Sequence, residues 1–344
     1  MKKVSIKDIA RELNISITTV SFVINGKSEE MGISSNTANK VHDLINKMGY
    51  NPNSAARMLR TGKSKTIGLI VEDISNYFFG KIAKVIEIEA NKNGYNVFFS
   101  STENNDNTAR ELISKMKKSS VDGYIITPTV GIKDEIFKLK KENVPFVLLD
   151  RFIQDVETNY VVVDNYNGAY DLTKHLLGNG FSKIGYISIF SEMTQMKDRE
   201  RGFSSALADA GIEIKDNEIL KVNFEDLYEN LLKSIQEFLK LNPQLDALFF
   251  ATNYLGVAGI EAIQQAELKI GEDIAVVCFD DNDIFRLLNP SITVSAQPIR
   301  EIAIQSIDLL LKAINNLEAQ KQVEGKILQP TVIQRNSSIA KNRN

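Results

Sequence analysis

Cysteine is almost missing from this chain. The single Cys278 excludes any disulfide within it, and the apolar run Ala275-Val276-Val277-Cys278-Phe279 reads as a buried strand, which makes the thiol structural rather than nucleophilic. Histidine is equally scarce. His42 and His175 fall on separate predicted helices, so neither a metal-ligating pair nor a nucleophile–base pair can be assembled from them. No Gly-x-x-x-x-Gly-Lys phosphate loop occurs. The stretch Gly178-Asn179-Gly180-Phe181-Ser182-Lys183 begins like a dinucleotide fingerprint, but it follows a helix and lacks the third glycine, so it reads as a helix C-cap. No run is long and apolar enough to span a bilayer. Met1-Lys2-Lys3-Val4 is basic, yet Asp8, Arg11 and Glu12 interrupt the apolar stretch an export signal needs. These absences argue against an enzyme, a membrane protein and an exported protein. The expectation is a cytoplasmic chain with no cofactor and no metal.

What is present is organised in two parts. The 344 residues allow two or three domains, and charge is shared unevenly: residues 1–63 carry ten Lys/Arg against five Asp/Glu, a balance of +5 within a net charge of −3. The basic end is the one suited to face phosphates. Ile6, Ile9, Ala10 and Leu13 recur at the spacing of one helical face, so a short amphipathic helix is predicted over about 6–13. Asn14 tolerates the left-handed backbone of a tight turn, and Ser16 is placed to cap a second helix from about Ile17. On that helix Val20, Val23 and Ile24 turn inward, which leaves Ile17, Thr18, Ser21, Phe22 and Asn25 outward or at the margins. A third helix, capped by Ser34 or Ser35, brings Val41, Leu44, Ile45 and Met48 to close the core. Short polar residues at the start of a second helix that crosses its neighbour closely at Ala10 fit a helix-turn-helix whose second helix reads the major groove.

After a small, charged linker at 61–65, strand and helix signals alternate. Apolar runs at Ile67–Val71, Val97–Phe99, Tyr124–Ile126, Phe146–Leu149, Val161–Val163, Ile184–Ile189, Leu248–Phe250 and Ala275–Phe279 are separated by helical patterns. That is the mark of an α/β body with parallel sheets covered on both faces. Ligands in such bodies sit beyond the C-terminal strand ends. The residues found there are Asp73 with Phe78 and Phe79, Asp150 and Arg151, Asp198 and Arg199, Asn253, Asp280 and Gln297. Carboxylates, amides, guanidiniums and aromatic faces converging on one cleft suit a polyhydroxylated ligand, which needs both donors and acceptors.

The head resembles the LacI/GalR family of bacterial transcription regulators. The matching residues are Ile6-Lys7-Asp8-Ile9-Ala10, the run Ser16 to Ser21, Asn25-Gly26, and the hinge Tyr50-Asn51-Pro52-Asn53-Ser54-Ala55-Ala56-Arg57-Met58-Leu59. The resemblance continues to the C-terminus. It implies a small all-α helix-turn-helix head at 1–50, a hinge helix and linker at 51–63, and a two-lobed, periplasmic-binding-protein-like body at 64–344. Lobe 1 would take about 64–162 plus 296–327, and lobe 2 about 163–295 plus 328–340. The implied DNA contacts are Ser16, Ile17, Thr18, Thr19, Ser21, Phe22 and Asn25 on the head and Asn53, Ala56, Arg57 and Leu59 on the hinge, with Leu59 wedging into the minor groove. The implied effector contacts are Asp73, Phe78, Phe79, Asp150, Arg151, Arg199, Asn253, Asp280 and Gln297. On this reading the protein is a repressor that binds a palindromic operator as a homodimer and is controlled allosterically by a sugar or sugar phosphate. A dimer is favoured over a tetramer because residues 337–344 hold no leucine heptads.

Three departures qualify the resemblance. Phe22 stands where the family usually has arginine, so the operator sequence cannot be transferred; Phe offers only an apolar face, for example to a thymine methyl. The loop from Gly26 to Ile33 is a few residues longer than usual. Tyr254 replaces the customary Asp after Asn253, which alters the hydrogen bonding of that edge of the cleft.

Overall fold

The computed structural model describes residues 4–50, 58, 62–224, 226–316 and 323–339. The hinge positions Asn53, Ala56, Arg57 and Leu59 lie outside the described residues. Two compact units divide the chain at Ser64–Lys65.

The first unit holds helices α1 (Ile6–Glu12), α2 (Ile17–Ile24) and α3 (Ser35–Met48). Asp8 accepts hydrogen bonds from the backbone N–H and hydroxyl of Ser5, which fixes the start of α1. Asn14 takes a φ of 54°, which turns the chain into α2, and the Ser16 hydroxyl accepts from Thr19 N at 2.9 Å to cap it. Ser34, the first of the two predicted caps, does the same for α3 through Thr37 N. Ile9, Ala10, Val20, Val23 and Val41 form the buried centre. The long loop before α3 turns at Gly26 and Gly32, both at positive φ.

The second unit contains two six-stranded sheets. In chain order the elements are β1 (Thr66–Val71), α4 (Tyr77–Lys92), β2 (Asn96–Ser101), α5 (Asp106–Lys118), β3 (Gly123–Ile126), α6 (Lys133–Lys141), β4 (Phe146–Leu149), β5 (Tyr160–Val163), α7 (Asn165–Gly178), β6 (Ile184–Ile189) and α8 (Thr194–Asp209). Then follow β7 (Ile219–Val222), α9 (Tyr228–Leu241), β8 (Ala247–Phe250), α10 (Asn253–Gln265), β9 (Ala275–Phe279), α11 (Asp283–Leu287), β10 (Thr293–Ala296), α12 (Ile299–Asn315), β11 (Gly325–Leu328) and β12 (Thr331–Ile333).

One sheet runs β11-β5-β4-β3-β1-β2 and is parallel throughout, with Leu69 opposite Ile125 and Leu148 opposite Tyr160. The other runs β12-β10-β9-β8-β6-β7, parallel except where β12 pairs antiparallel with β10. The two orders repeat strand for strand, so β4 and β9 hold equivalent places. The chain passes between the sheets after β5, after β10 and after β11, and α12 packs back against α4 of the first lobe. All eight predicted strands form. Four more were not anticipated, for separate reasons. β7, β11 and β12 are short edge strands, β7 only partly buried and the other two with exposed residues, while β10 buries Thr293 and Ser295, polar residues that hide a core strand. Among the described residues, no helix is long and apolar enough to cross a membrane.

Candidate functional site: a polar cleft between two lobes

The C-terminal ends of both sheets face one narrow cavity of about 40 Å³. Glu72 follows β1, Asp150 and Arg151 follow β4, Thr252 and Asn253 join β8 to α10, and Asp280 follows β9. Asp150 and Asp280 occupy equivalent places in the two lobes, and both take the left-handed backbone, at φ 69° and 73°. Asp is one of the few residues that tolerates that conformation, and strain of this kind collects where a ligand is met.

Each lobe contributes a buried guanidinium held by fixed acceptors. Arg151, 2 % exposed, donates from Nε to the Pro128 carbonyl (2.8 Å) and from Nη2 to Asn104 Oδ1 (2.7 Å) and Glu72 Oε2 (2.9 Å). Arg199, 3 % exposed, donates from Nε to Asn165 Oδ1 (2.8 Å) and from Nη1 to the Ala251 carbonyl (2.6 Å). It lies 3.8 Å over the Phe279 ring, with Nη1 3.5 Å from Asp280 Oδ2. Gln297 donates to the other oxygen of Asp280 at 2.5 Å. Charges so held are oriented before any ligand arrives, which is what selective hydroxyl recognition requires.

The carboxylates are unequal. Burial pushes Asp150 from an ordinary 3.8 up to about 6, although Arg151 and Arg199 pull it back. Burial also raises Asp280, against the opposing pull of Arg199 and the hydrogen bond from Gln297. Both lobes act on each group, so they confront one another across the cleft. There Asn253 Nδ2 donates to Asn76 Oδ1 at 3.3 Å, and Lys81 pairs with Asp283 at 3.5 Å.

Of the nine effector positions read from the sequence, Phe78, Phe79, Asp150, Arg199, Asn253 and Asp280 line this cavity. Phe78 and Phe79 form an edge-to-face pair with centroids 5.0 Å apart. The other three do not line it. Asp73 turns its carboxylate back to the N–H and hydroxyl of Ser75, both at 2.7 Å, and the inward position belongs to its neighbour Glu72. Arg151 stands behind Glu72, and Gln297 is spent on Asp280. These two are supports for carboxylates rather than walls of the cavity. Sequence reading missed Glu72, Asn76 and Gln195, as well as the buttressing amides Asn104 and Asn165. Glu72 was recoverable as the first residue after β1; the amides carry no signal until the fold brings them beneath the guanidiniums.

Several neighbouring features carry no chemistry. Cys278 is fully buried, its thiol donates to the Thr252 carbonyl at 3.2 Å, and burial raises it far from its reactive range. His175 is half-buried against the Ser338 hydroxyl at 2.7 Å. Among the described residues no group of His, Cys, Asp and Glu could hold a metal.

On the head, Ser16, Ile17, Thr18 and Asn25 are exposed, while Thr19, Ser21 and Phe22 are half-buried. Neither Ile17 nor Phe22 joins the core cluster. Asn25 donates to the Ser21 carbonyl and Thr19 shares a hydrogen bond with Ser16, which leaves Ile17, Thr18 and Phe22 without such ties.

A helix-turn-helix head in the same chain as a two-lobed α/β body with a polar cleft defines a DNA-binding transcription regulator with a small-molecule domain. Residues 5–53 match the bacterial regulatory proteins of the lacI family, and residues 64–333 match the periplasmic binding proteins and sugar binding domain of the LacI family. The chain belongs to that family. It is 32% identical over 97% of its length to the HTH-type transcriptional regulator RegA of Clostridium saccharobutylicum, covering 99% of that protein. Identity to catabolite control protein A of Priestia megaterium is 28%, over 95% of this chain and 96% of the relative. Among solved structures, the Lac repressor dimer bound to operator and an anti-inducer matches with a TM-score of 0.84 at 22% identity, over 98% of this chain and 100% of that one.

Proposed function

We propose that this protein is a repressor that grips a palindromic operator as a homodimer and changes its grip when a small carbohydrate occupies the inter-lobe cleft. The observation that carries the reading is the opposed pair of buried clusters, Glu72–Arg151 on one lobe and Arg199–Asp280 on the other. A ligand touching both must favour one lobe arrangement over another, and differential affinity for two arrangements is what an allosteric effector supplies, typically about 1–3 kcal/mol of coupling. A polyol fits the mixture of fixed donors and acceptors. The relative named for catabolite control supports the same reading.

The homodimer is supported by apolar side chains left in the open. Ile88 on α4 and Phe98 and Phe99 on the edge strand β2 are 40–48 % exposed, and Leu287 on α11 is 76 % exposed. An uncovered apolar edge strand invites a second copy. One head reads only a half-site, so two-fold pairing on a pseudo-palindrome follows. The hinge positions Asn53, Ala56, Arg57 and Leu59 would then meet the minor groove between the half-sites, Leu59 as an apolar wedge.

A mobility shift of the purified chain on fragmented chromosomal DNA, with and without added sugars, tests this. Retention of palindromic fragments and a sugar-dependent change in their affinity are expected. Binding of random and palindromic DNA with equal strength under every condition would remove the reading.

A further inference from the structure

A second chamber opens beside the first. Its volume is about 490 Å³, against about 40 Å³ for the inner one, and the two share Glu72, Asn76, Asn253 and Tyr254 as a common wall. Its sides differ in chemistry. Lobe 2 supplies an apolar, aromatic wall from Phe224, Tyr228, Leu231, Tyr254 and Val257, while lobe 1 supplies Asp73 and Glu103 beside Glu72. Phe224 and Tyr254 meet edge to face at 6.3 Å, and the Tyr228 hydroxyl donates to Glu261 at 2.6 Å, which pins that ring at the rim.

We propose that the two chambers form one binding site, and that its effector is an unphosphorylated saccharide larger than one ring, with a polyol head in the inner chamber and a second sugar unit in the outer. This rests on the carbohydrate reading above and narrows it. Three independent observations carry it. First, a sugar ring presents C–H faces that pack on aromatic side chains and hydroxyls that donate to carboxylates, and the outer chamber offers one wall of each kind. Second, Tyr254 lines both chambers with a buried hydroxyl that has no hydrogen-bond partner, and Gln195 Oε1 is likewise unpartnered in the inner chamber. Buried polar atoms are rarely left so, and a ligand spanning the shared wall would satisfy them.

Third, the charge balance rejects anions. Among the described residues neither Asp73 nor Glu103 forms an ion pair, the Asp73 carboxylate accepting only from Ser75, and no lysine, arginine or histidine lines the outer chamber. Glu103 already titrates high, through burial and then repulsion from Asp73 and Glu72. The two guanidiniums of the inner site already donate to protein acceptors, Arg199 from Nε and Nη1 and Arg151 from Nε and Nη2. A phosphate placed on the second sugar would meet carboxylates, and the nearby cation Lys81, over the Tyr77 ring at 4.9 Å, is already paired with Asp283 at 3.5 Å, whereas neutral hydroxyls would find acceptors.

The test is calorimetric titration of the full-length chain with glucose, with the neutral disaccharides cellobiose, maltose, lactose, sucrose and trehalose, and with trehalose 6-phosphate and sucrose 6-phosphate. The expected result is one neutral disaccharide at least about tenfold tighter than glucose and its phosphorylated form at least about 100-fold weaker. Tyr228→Ala, at a rim position that is 47 % exposed, should cut the ratio of disaccharide to monosaccharide affinity about tenfold. Glu103→Gln should narrow the gap between a disaccharide and its phosphate. If glucose binds as tightly as every disaccharide and Tyr228→Ala leaves the ratio unchanged, the two-chamber assignment is wrong while the carbohydrate reading survives. A phosphorylated disaccharide that binds tightest would overturn the anion exclusion. Failure of every sugar, large or small, would sink the carbohydrate reading and this assignment with it.

Discussion

Asp150 should weaken the fold it belongs to, and the extent can be worked out from its surroundings. Burial holds its carboxyl at about 6 against an ordinary 3.8, a rise of about two units, even after the help of Arg151 and Arg199. At 1.36 kcal/mol per unit, ionising this group in the folded protein costs about 3 kcal/mol more than in the unfolded chain. The sign follows from linkage. A carboxyl raised on folding contributes its full stability below the unfolded value and loses that contribution as pH climbs through about 6. At pH 8 the penalty is complete, and at pH 4 it has nearly vanished.

Replacing Asp150 with Asn removes the ionisation and keeps the shape. Asn also suits the backbone, since φ here is 69° and Asn tolerates the left-handed region, whereas Ala would add strain. Asp150→Asn should therefore raise the melting temperature of the body by roughly 6–12 °C at pH 8, given about 2–4 °C per kcal/mol for a domain of such size, and by little at pH 4. Affinity for the effector should fall about tenfold or more at pH 8, because a charged acceptor has been exchanged for a weaker one. Differential scanning calorimetry from pH 4 to 8, with ligand titrations at the upper end, measures both. A stability difference that is independent of pH, or a variant less stable than the parent at pH 8, would refute the assignment of Asp150 as a buried charge kept for binding.

Arg199→Met leaves Asp280 buried without its cation and should destabilise the body by about 3–5 kcal/mol at pH 8; the deficit in urea midpoint should shrink as pH falls, because burial already raises Asp280 above the ordinary carboxylate range. Gly202→Ala would set a Cβ 2.2 Å from the Tyr166 carbonyl oxygen, forcing α7 and α8 apart for about 1–3 kcal/mol, whereas Gly178→Ala meets nothing within 4 Å and should be neutral or slightly stabilising in the same urea titration. Phe22→Arg should change the preferred base at one position per half-site in a binding-site selection, with an unchanged preference arguing against a reading role for Phe22.

What could be read from the amino acids, and what could not, divides along a physical line. Periodicity reports burial on a face, so the eight apolar strands and the three head helices were legible, and local capping chemistry at Ser16 and Asn14 set their limits. Position after a strand reports proximity to a cleft, which brought Asp150, Arg199, Asn253 and Asp280 into view. Neither signal reports which way a side chain turns once the strand has ended. Asp73 and Glu72 are adjacent carboxylates; only the turn that lets Ser75 capture Asp73 decides that Glu72 faces inward. The same limit applies to Arg151 and Gln297, whose partners lie far along the chain or across a turn.

Tyr254 shows how the two kinds of information combine. As sequence it was an exception, an aromatic where a carboxylate is usual. In the fold it becomes the partition between two chambers, with an unpartnered hydroxyl on a ring braced by Phe224. Replacing a carboxylate by a phenol at that point removes a charge from the inner site and extends an apolar wall into the outer one. A departure from the family pattern at one position thus accounts for two properties of the cleft, its added aromatic surface and the wall that its two chambers share. It also locates specificity where loop and helix termini meet, rather than in the strands that carry them.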